Sequence, residues 1–160
     1  MFDRGSELFL QAEALLEMIK EHSAGAVLYG YFINKEVQFL LLHYTSGHWD
    51  FPKGNVEKGE TEIEATTREV FEETGITDLT FVEEFVQPIY YNYKRNENLV
   101  QKRVTFYLAQ TPTRNVILSN EHQDYLWANY HLALKTLTYR SARNILTSAY
   151  KFIKNAKPPY

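Results

Sequence analysis

Apolar positions along this chain fall into two spacings, and the alternation between them predicts its elements. From Ser6 to Glu21, Leu8, Ala12, Leu15, Leu16 and Ile19 recur at helical spacing. Such a helix would pack on the outside of the domain or serve a partner or dimer contact. Ala24–Phe32 and Glu36–Tyr44 are apolar, partly alternating runs split by Asn34-Lys35, which predicts two strands and a short turn. Thr45-Ser46-Gly47 reads as a loop, and Trp49–Lys53 leads into a glycine-bearing segment. Leu79–Pro88 and Lys102–Ala109 read as strands, with a polar loop at Asn92–Asn98 between them. Pro112–Glu121 is another connection. Ser141–Lys154 is amphipathic, with Ala142, Ile145, Leu146, Ala149, Tyr150 and Ile153 forming one core-facing stripe. Lys157-Pro158-Pro159-Tyr160 cannot continue that helix, so 155–160 is expected to be a loose tail.

The middle of the chain carries an unusual polar pattern. Thr61-Glu62-Ile63-Glu64 has the form of a capping box, so a helix should start after Thr61, and Gly75 is the natural residue to end it. With Glu69 at zero and about 100° per residue, Glu73 falls at about 40° and Glu72 at about 300°. Three carboxylates therefore share one arc. Ile63, Thr67, Val70 and Phe71 fall on another arc, the expected buried face. Like charges at these spacings cost a helix about a few tenths of a kcal/mol each, and Arg68 alone cannot neutralise them. A solvated acidic face is the plain explanation. The alternative is a hard divalent cation such as Mg²⁺ or Mn²⁺, which prefers oxygen ligands and bridges to substrate phosphates. Gly54 and Gly59 bracket a tight loop just before the helix, where backbone can approach a ligand. A carboxylate cluster fed by a glycine loop suits a metal–phosphate site.

Composition narrows the field without choosing within it. The chain has 160 residues, enough for a single domain with one sizeable core, and a net charge of −3. There is no broad basic field for extended nucleic-acid binding, although a local basic patch is compatible with that charge. With no cysteine, thiolate metal sites and disulfides are excluded, which agrees with a reducing cytoplasm, the expected location. No stretch is apolar and long enough to span a membrane, and the N-terminus has no basic segment followed by an apolar run. Oligomeric state is not legible. Many of the twelve tyrosines are expected in the core, and some are candidates to stack on bases.

The stretch from Gly54 to Ile76 resembles a complete Nudix box: glycine, five residues, glutamate, seven residues, then Arg68-Glu69-Val70-Phe71-Glu72-Glu73-Thr74-Gly75-Ile76. The resemblance implies an α/β fold, an α/β/α sandwich with a mixed sheet. It implies hydrolysis of a nucleoside diphosphate linked to another group, with Mg²⁺ or Mn²⁺ as cofactor. It also implies roles: Glu69, Glu72 and Glu73 as metal ligands together with the Gly54 carbonyl, and Glu60 and Arg68 as an orienting pair. One such domain would occupy 1–160, with residues 1–22 as an extra N-terminal helix.

The flanks point to a substrate class. His48-Trp49-Asp50-Phe51-Pro52-Lys53-Gly54, Lys102-x-Val104-x-Phe106-Tyr107-Leu108-Ala109 and Leu118-Ser119-Asn120-Glu121-His122-Gln123-Asp124-Tyr125-Leu126-Trp127 are similar to segments of the asymmetrical diadenosine tetraphosphate hydrolases. Asp50 and Phe51 depart from that pattern, which has a small or hydroxyl residue and often a proline there. The resemblance implies a small nucleotide substrate cleaved to ATP and AMP. Glu121 would be a metal ligand or general base. Lys53, Lys102, His48 and His43 are cations for the phosphates. Tyr93 best matches the base-stacking position, with Tyr90 and Tyr91 as alternatives and Tyr125 as a second candidate. His122 suits structure or ligand equally, and Trp49 and Trp127 are assigned to the core. An RNA 5′-pyrophosphohydrolase is the nearest alternative, and a non-catalytic nucleotide-binding module a more distant one.

Overall fold

The computed structural model describes residues 3–16 and 18–156. Its elements in order are α1 (Arg4–Leu16), β1 (Ile19–Ile33), β2 (Glu36–Tyr44), β3 (Trp49–Asp50), β4 (Lys53–Asn55), α2 (Glu62–Thr74), β5 (Thr80–Arg95), β6 (Asn98–Gln110), β7 (His122–Ala128), α3 (Tyr130–Thr136) and α4 (Arg140–Asn155). Seven strands form a mixed sheet in the order β3-β2-β1-β6-β5, with β4 paired to β1 and β7 to β2. Among the described residues only β1 and β6 run parallel, from Ile19 opposite Val100 to Tyr29 opposite Gln110.

Strand alternation splits the interior into two layers. Val27, Phe39, Leu41, Val104, Phe106 and Leu108 face Ile145, Leu146 and Ala149 of α4. Ala26, Leu28, Leu40, Leu42 and Ala109 face Val70 of α2, together with Ile76 and Val116. Both faces of β1 are covered, which is why Ala24–Tyr29 reads as an unbroken apolar run apart from Gly25. The α/β/α sandwich expected from the resemblance is present. Each fully buried aliphatic side chain in these layers contributes about 1.5–3 kcal/mol.

The strand pairs and α4 lie where the pattern puts them, while several expectations need correction. The N-terminal helix stops at Leu16, and Ile19–Glu21 is strand, paired with Val100–Lys102. Its described side chains are all exposed, Leu8, Phe9 and Leu10 included, so they do not pack on the domain as expected. Asn92–Asn98 is not a long loop. β5 continues to Arg95 and turns through Asn96-Glu97, both at positive φ, matching the Asn34-Lys35 turn between β1 and β2. Paired left-handed residues fit the twist of a hairpin, and asparagine tolerates that conformation. β7 and α3 arise inside a stretch with little periodicity and were not foreseen. The tail expected at 155–160 does not begin at 155, because α4 runs through Asn155 and is capped by Ala156; residues 157–160 lie outside the described residues.

Candidate functional site

The Thr61 hydroxyl accepts the Glu64 N–H at 3.1 Å, and the Glu64 carboxylate accepts the Thr61 N–H at 3.3 Å, so the capping box forms. Gly75 closes the helix at φ 75°, a left-handed conformation that suits glycine. The buried side of α2 is not the one expected. Ala65, Thr66, Val70, Glu73 and Thr74 are buried, while Ile63, Thr67 and Phe71 are exposed. The helix is rolled so that Glu73 and Val70 turn inward with Glu69 half-buried beside them, while Glu72, Ile63 and Phe71 stay exposed. Small residues at 65 and 66 let it lie close to the sheet. Glu73 sits in the middle of the inward face and is only 3% exposed.

That face borders a cleft of about 950 Å³. Gly54, Glu69, Glu72, Glu73 and Arg68 form one side with Glu121 and Ser119. Lys102, Val104 and Phe106 of β6 form the floor, and Tyr90, Tyr91, His48, Lys53 and Tyr139 the rest. Gly54 is pressed against the helix, and a Cβ there would overlap the Glu69 carboxylate. Any side chain there would require the Glu69 carboxylate to move.

Arg68 organises the carboxylates. Its Nε and Nη2 donate to the two oxygens of Glu60 at 2.8 and 2.9 Å, and Nη2 also donates to the Asn55 carbonyl at 2.9 Å. Nη1 donates to Glu69 at 2.7 Å and to Glu72 at 3.2 Å. The Arg68 bonds, reinforced by the Glu57–Glu60 backbone bond, hold the Glu60 carboxyl down to about 2. The same fork raises the Arg68 guanidinium above its usual range.

Glu73 is in the opposite situation. Burial, with the Glu69 charge adding, pushes its carboxyl up to about 9, against the opposing pull of the Lys53 N–H and charge. Burial likewise raises Glu69, which Arg68 partly offsets. His122 Nε2 lies 3.8 Å from Glu73, too far for a hydrogen bond, and burial first, then Lys53, lowers its imidazole to about 4. Both partners are therefore neutral near pH 7, and the contact is not an ion pair. His122 instead shares its Nδ1 with the Ser119 hydroxyl at 2.9 Å.

The remaining residues divide clearly by place. Lys53 Nζ is gripped by Asp50 Oδ2 at 2.6 Å and lies 4.7 Å from the Tyr44 ring centroid. His48 stacks on the other part of the same tyrosine, centroids 4.5 Å apart and planes 9° off parallel. Burial lowers the His48 imidazole, and it lowers the half-buried Lys102 ammonium as well. Tyr93 does not line the cleft. Its hydroxyl donates to Glu21 at 2.6 Å, beyond the cleft edge, and Tyr90 and Tyr91 line it instead. Tyr125 borders a separate shallow depression with Arg114 and Trp127. His43 stacks on Trp49, away from the cleft. Tyr44, Asp50, Ser119, Tyr139 and Ser141 line the cleft and were not picked out as site residues. Alternation along β2 could have flagged Tyr44; for Tyr139 and Ser141 the sequence carries no signal.

The donors offered to a cation here are all hard oxygens, and Glu73 is a buried carboxylate with only one backbone donor on it. That chemistry fits a hard divalent ion. The spacing does not yet assemble a ligand set. Among the described residues no three Asp, Glu, His or Cys side chains are gathered for one metal, and Arg68 bonds both Glu69 and Glu72.

A family model described as NUDIX domain matches residues 23–148. The chain is 34% identical over 126 residues to mouse asymmetrical bis(5′-nucleosyl)-tetraphosphatase, covering 75% of this chain and 83% of the relative. A Helicobacter pylori RNA pyrophosphohydrolase is 31% identical over 100 residues, covering 59% of this chain and 64% of the relative. A crystal structure of a Caenorhabditis elegans Ap4A hydrolase binary complex aligns with a TM-score of 0.75 at 32% identity, over 85% of this chain and 99% of that one.

Proposed function

This chain belongs to the NUDIX family, and on that premise we propose that it hydrolyses dinucleoside polyphosphates asymmetrically, above all diadenosine tetraphosphate to ATP and AMP. Hydrolases of the family generally need divalent metal ions, and Mg²⁺ or Mn²⁺ is the proposed one here. The observation that carries the reading is the inward roll of α2. It sets Glu69 and Glu73 against a cleft whose other walls offer lysines and tyrosines. A polyphosphate flanked by two bases needs that combination.

In this reading Glu69, Glu72, Glu73 and the Gly54 carbonyl hold the cation, with Glu121 as a further ligand or as the base that accepts the proton of the attacking water. When bound, the cation would supply Lewis acidity to the reaction. Glu60 and Arg68 fix the helix face. For Glu69 and Glu72 to serve as ligands, Arg68 would have to release part of its hold on one of them. Lys102, Lys53 and His48 offset charge along the phosphate chain. Tyr91, with Tyr90 or Tyr139, offers an aromatic face to an adenine. Water adds to one phosphorus, the bridging P–O bond breaks, and ATP and AMP separate. One domain carries all of these groups, α1 lies outside them, and the cytoplasm is the proposed setting. No helix among the described residues is long and apolar enough to cross a membrane.

The test is product identification by ion-exchange chromatography with diadenosine tetraphosphate in ¹⁸O-water, beside 5′-triphosphorylated RNA. ATP plus AMP, with the label on one of them, is the expected result. Two ADP would overturn the asymmetrical assignment. Faster turnover of the RNA would move the enzyme to the pyrophosphohydrolase side of the family. Tight binding without turnover in saturating Mg²⁺ would make it a binding module.

A further inference from the structure

Asp50 stands where this chain departs from the pattern of its flanking segment, and it faces the cleft. It closes the short strand β3, opposite Leu42 of β2, and is only 6% exposed. Both of its oxygens are engaged. Oδ1 accepts the Phe51 N–H at 2.8 Å, and Oδ2 holds Lys53 Nζ at 2.6 Å. The fully buried Phe51 anchors the backbone on one side, and the Lys53 N–H bond to Glu73 anchors it on the other. The carboxylate therefore cannot swing away. Lys102, across the floor, has no carboxylate within ion-pair distance among the described residues. The two cleft lysines are unequal, one paired with a carboxylate and the other not.

We propose that Asp50 is a specificity determinant: by holding Lys53 beside the phosphate track it sets the length of phosphate chain that the cleft prefers. The inference rests on the polyphosphate reading of this same site. Its physics is electrostatic. Each further phosphate brings about one more negative charge past a fixed carboxylate, while the cation next to it stays half spent. The Lys53 and Asp50 side chains are 15% and 8% exposed, so salt and water screen them poorly. The penalty therefore grows with chain length. A carboxylate that merely anchored Lys53 would act alike on every substrate that touches the lysine.

The test is Asp50→Asn, which keeps the shape and the acceptor for Phe51 while removing the charge. Asp50→Ser removes the same charge and carries the measurements should the asparagine variant melt early. Inorganic pyrophosphate, tripolyphosphate and tetrapolyphosphate are titrated calorimetrically without divalent cation at low and moderate salt. In parallel, kcat/KM is measured for diadenosine tri-, tetra- and pentaphosphate with Mg²⁺. The expected gain over wild type rises by about threefold for each added phosphate charge and shrinks as salt is raised. An equal change at every length, or a loss that tracks length, overturns the proposal. If the wild type turns over none of the dinucleotides, the activity reading falls, and the inorganic titration still decides for or against Asp50.

Discussion

The Lys53 N–H donates to Glu73 Oε2 across 3.1 Å, fastening β4 to the middle of the inward face of α2. The proposed substrate-side and metal-side groups are thus joined by one short stretch of backbone. The Lys53 side chain points to Asp50 while its main chain holds a glutamate. A substitution at the side chain of 53 therefore leaves the Glu73 bond in place, and one that shifts the backbone disturbs both walls.

Glu73→Gln should lower kcat by about a hundredfold or more, the scale of losing several kcal/mol of transition-state stabilisation. The fold should persist. Burial already holds the Glu73 carboxyl protonated up to about 9, so a neutral amide replaces a group that is neutral in the metal-free protein. Steady-state kinetics with a melting curve in chelator checks both halves. Full activity of the variant would remove Glu73 from the metal set.

The metal-free protein should lose stability as pH rises from about 6.5 to 9. Glu73 titrates at about 9 when folded and near its ordinary 4.5 when unfolded, so between those values the folded chain binds the extra proton. Stability then falls with rising pH. His122, lowered to about 4 from 6.5, acts in the other sense, and its contribution is lost as pH falls below 6.5. Above 6.5 only the glutamate slope of this pair remains. Denaturant titrations of the wild type and of Glu73→Gln at pH 6.5, 7.5 and 8.5 check it. The variant should show a flatter dependence, and parallel curves would contradict the assignment.

Tyr91→Ala should raise KM for diadenosine tetraphosphate by about tenfold with a smaller change in kcat, since stacking worth about 1–3 kcal/mol acts before and during the reaction. Tyr93→Ala should move KM less, because that ring lies beyond the cleft edge and its hydroxyl is spent on Glu21. The Tyr91 hydroxyl is pushed up to about 12 by burial, so it stays neutral beside the phosphates. Equal KM effects at 91 and 93 would show that the hairpin reaches the base differently.

Gly54→Ala should abolish most activity while leaving the protein folded. The added methyl would overlap the Glu69 carboxylate, so that side chain or the loop must shift, at a cost of about 1–3 kcal/mol. Activity assays beside thermal melts measure the two effects separately, and unchanged kcat would mean that Glu69 has slack.

Where the sequence spoke clearly, it did so through period and punctuation. Asn34-Lys35 marked a hairpin, Thr61 and Glu64 marked a helix start, and Ile145, Leu146 and Ala149 marked a buried stripe. The roll of α2 was not legible from hydrophobicity. Ile63 and Phe71 are larger apolar residues than Ala65 and Thr66, yet the smaller pair is buried, because close approach to the sheet and the Lys53 bond to Glu73 decide the face. Tyr93 best matches the stacking position of the resemblance, and alternation cannot separate it from Tyr91, since the two stand i and i+2 on one face of β5 with rings 6.2 Å apart; what separates them is how far along the hairpin the cleft extends. Tyr139 reaches the cleft only through the placement of α4, a long-range fact.

The end of α2 bears on how this cleft opens. The Thr74 and Glu73 carbonyls, which a helix terminus leaves without partners, accept the N–H groups of Ile117 and Ser119 at 2.9 and 3.4 Å. The segment that presents Glu121 is thereby an extension of the helix that presents Glu73, and the Glu121 carbonyl is itself pinned by the Thr45 N–H at 3.0 Å. Glu121 cannot travel as a swinging lid without unpicking a helix cap. The opposite wall carries the exposed Tyr90 and Tyr139, on the hairpin and at the start of α4. A proline at 117, far from any phosphate, would remove one stitch and let the acidic wall breathe, slowing chemistry by motion rather than by contact.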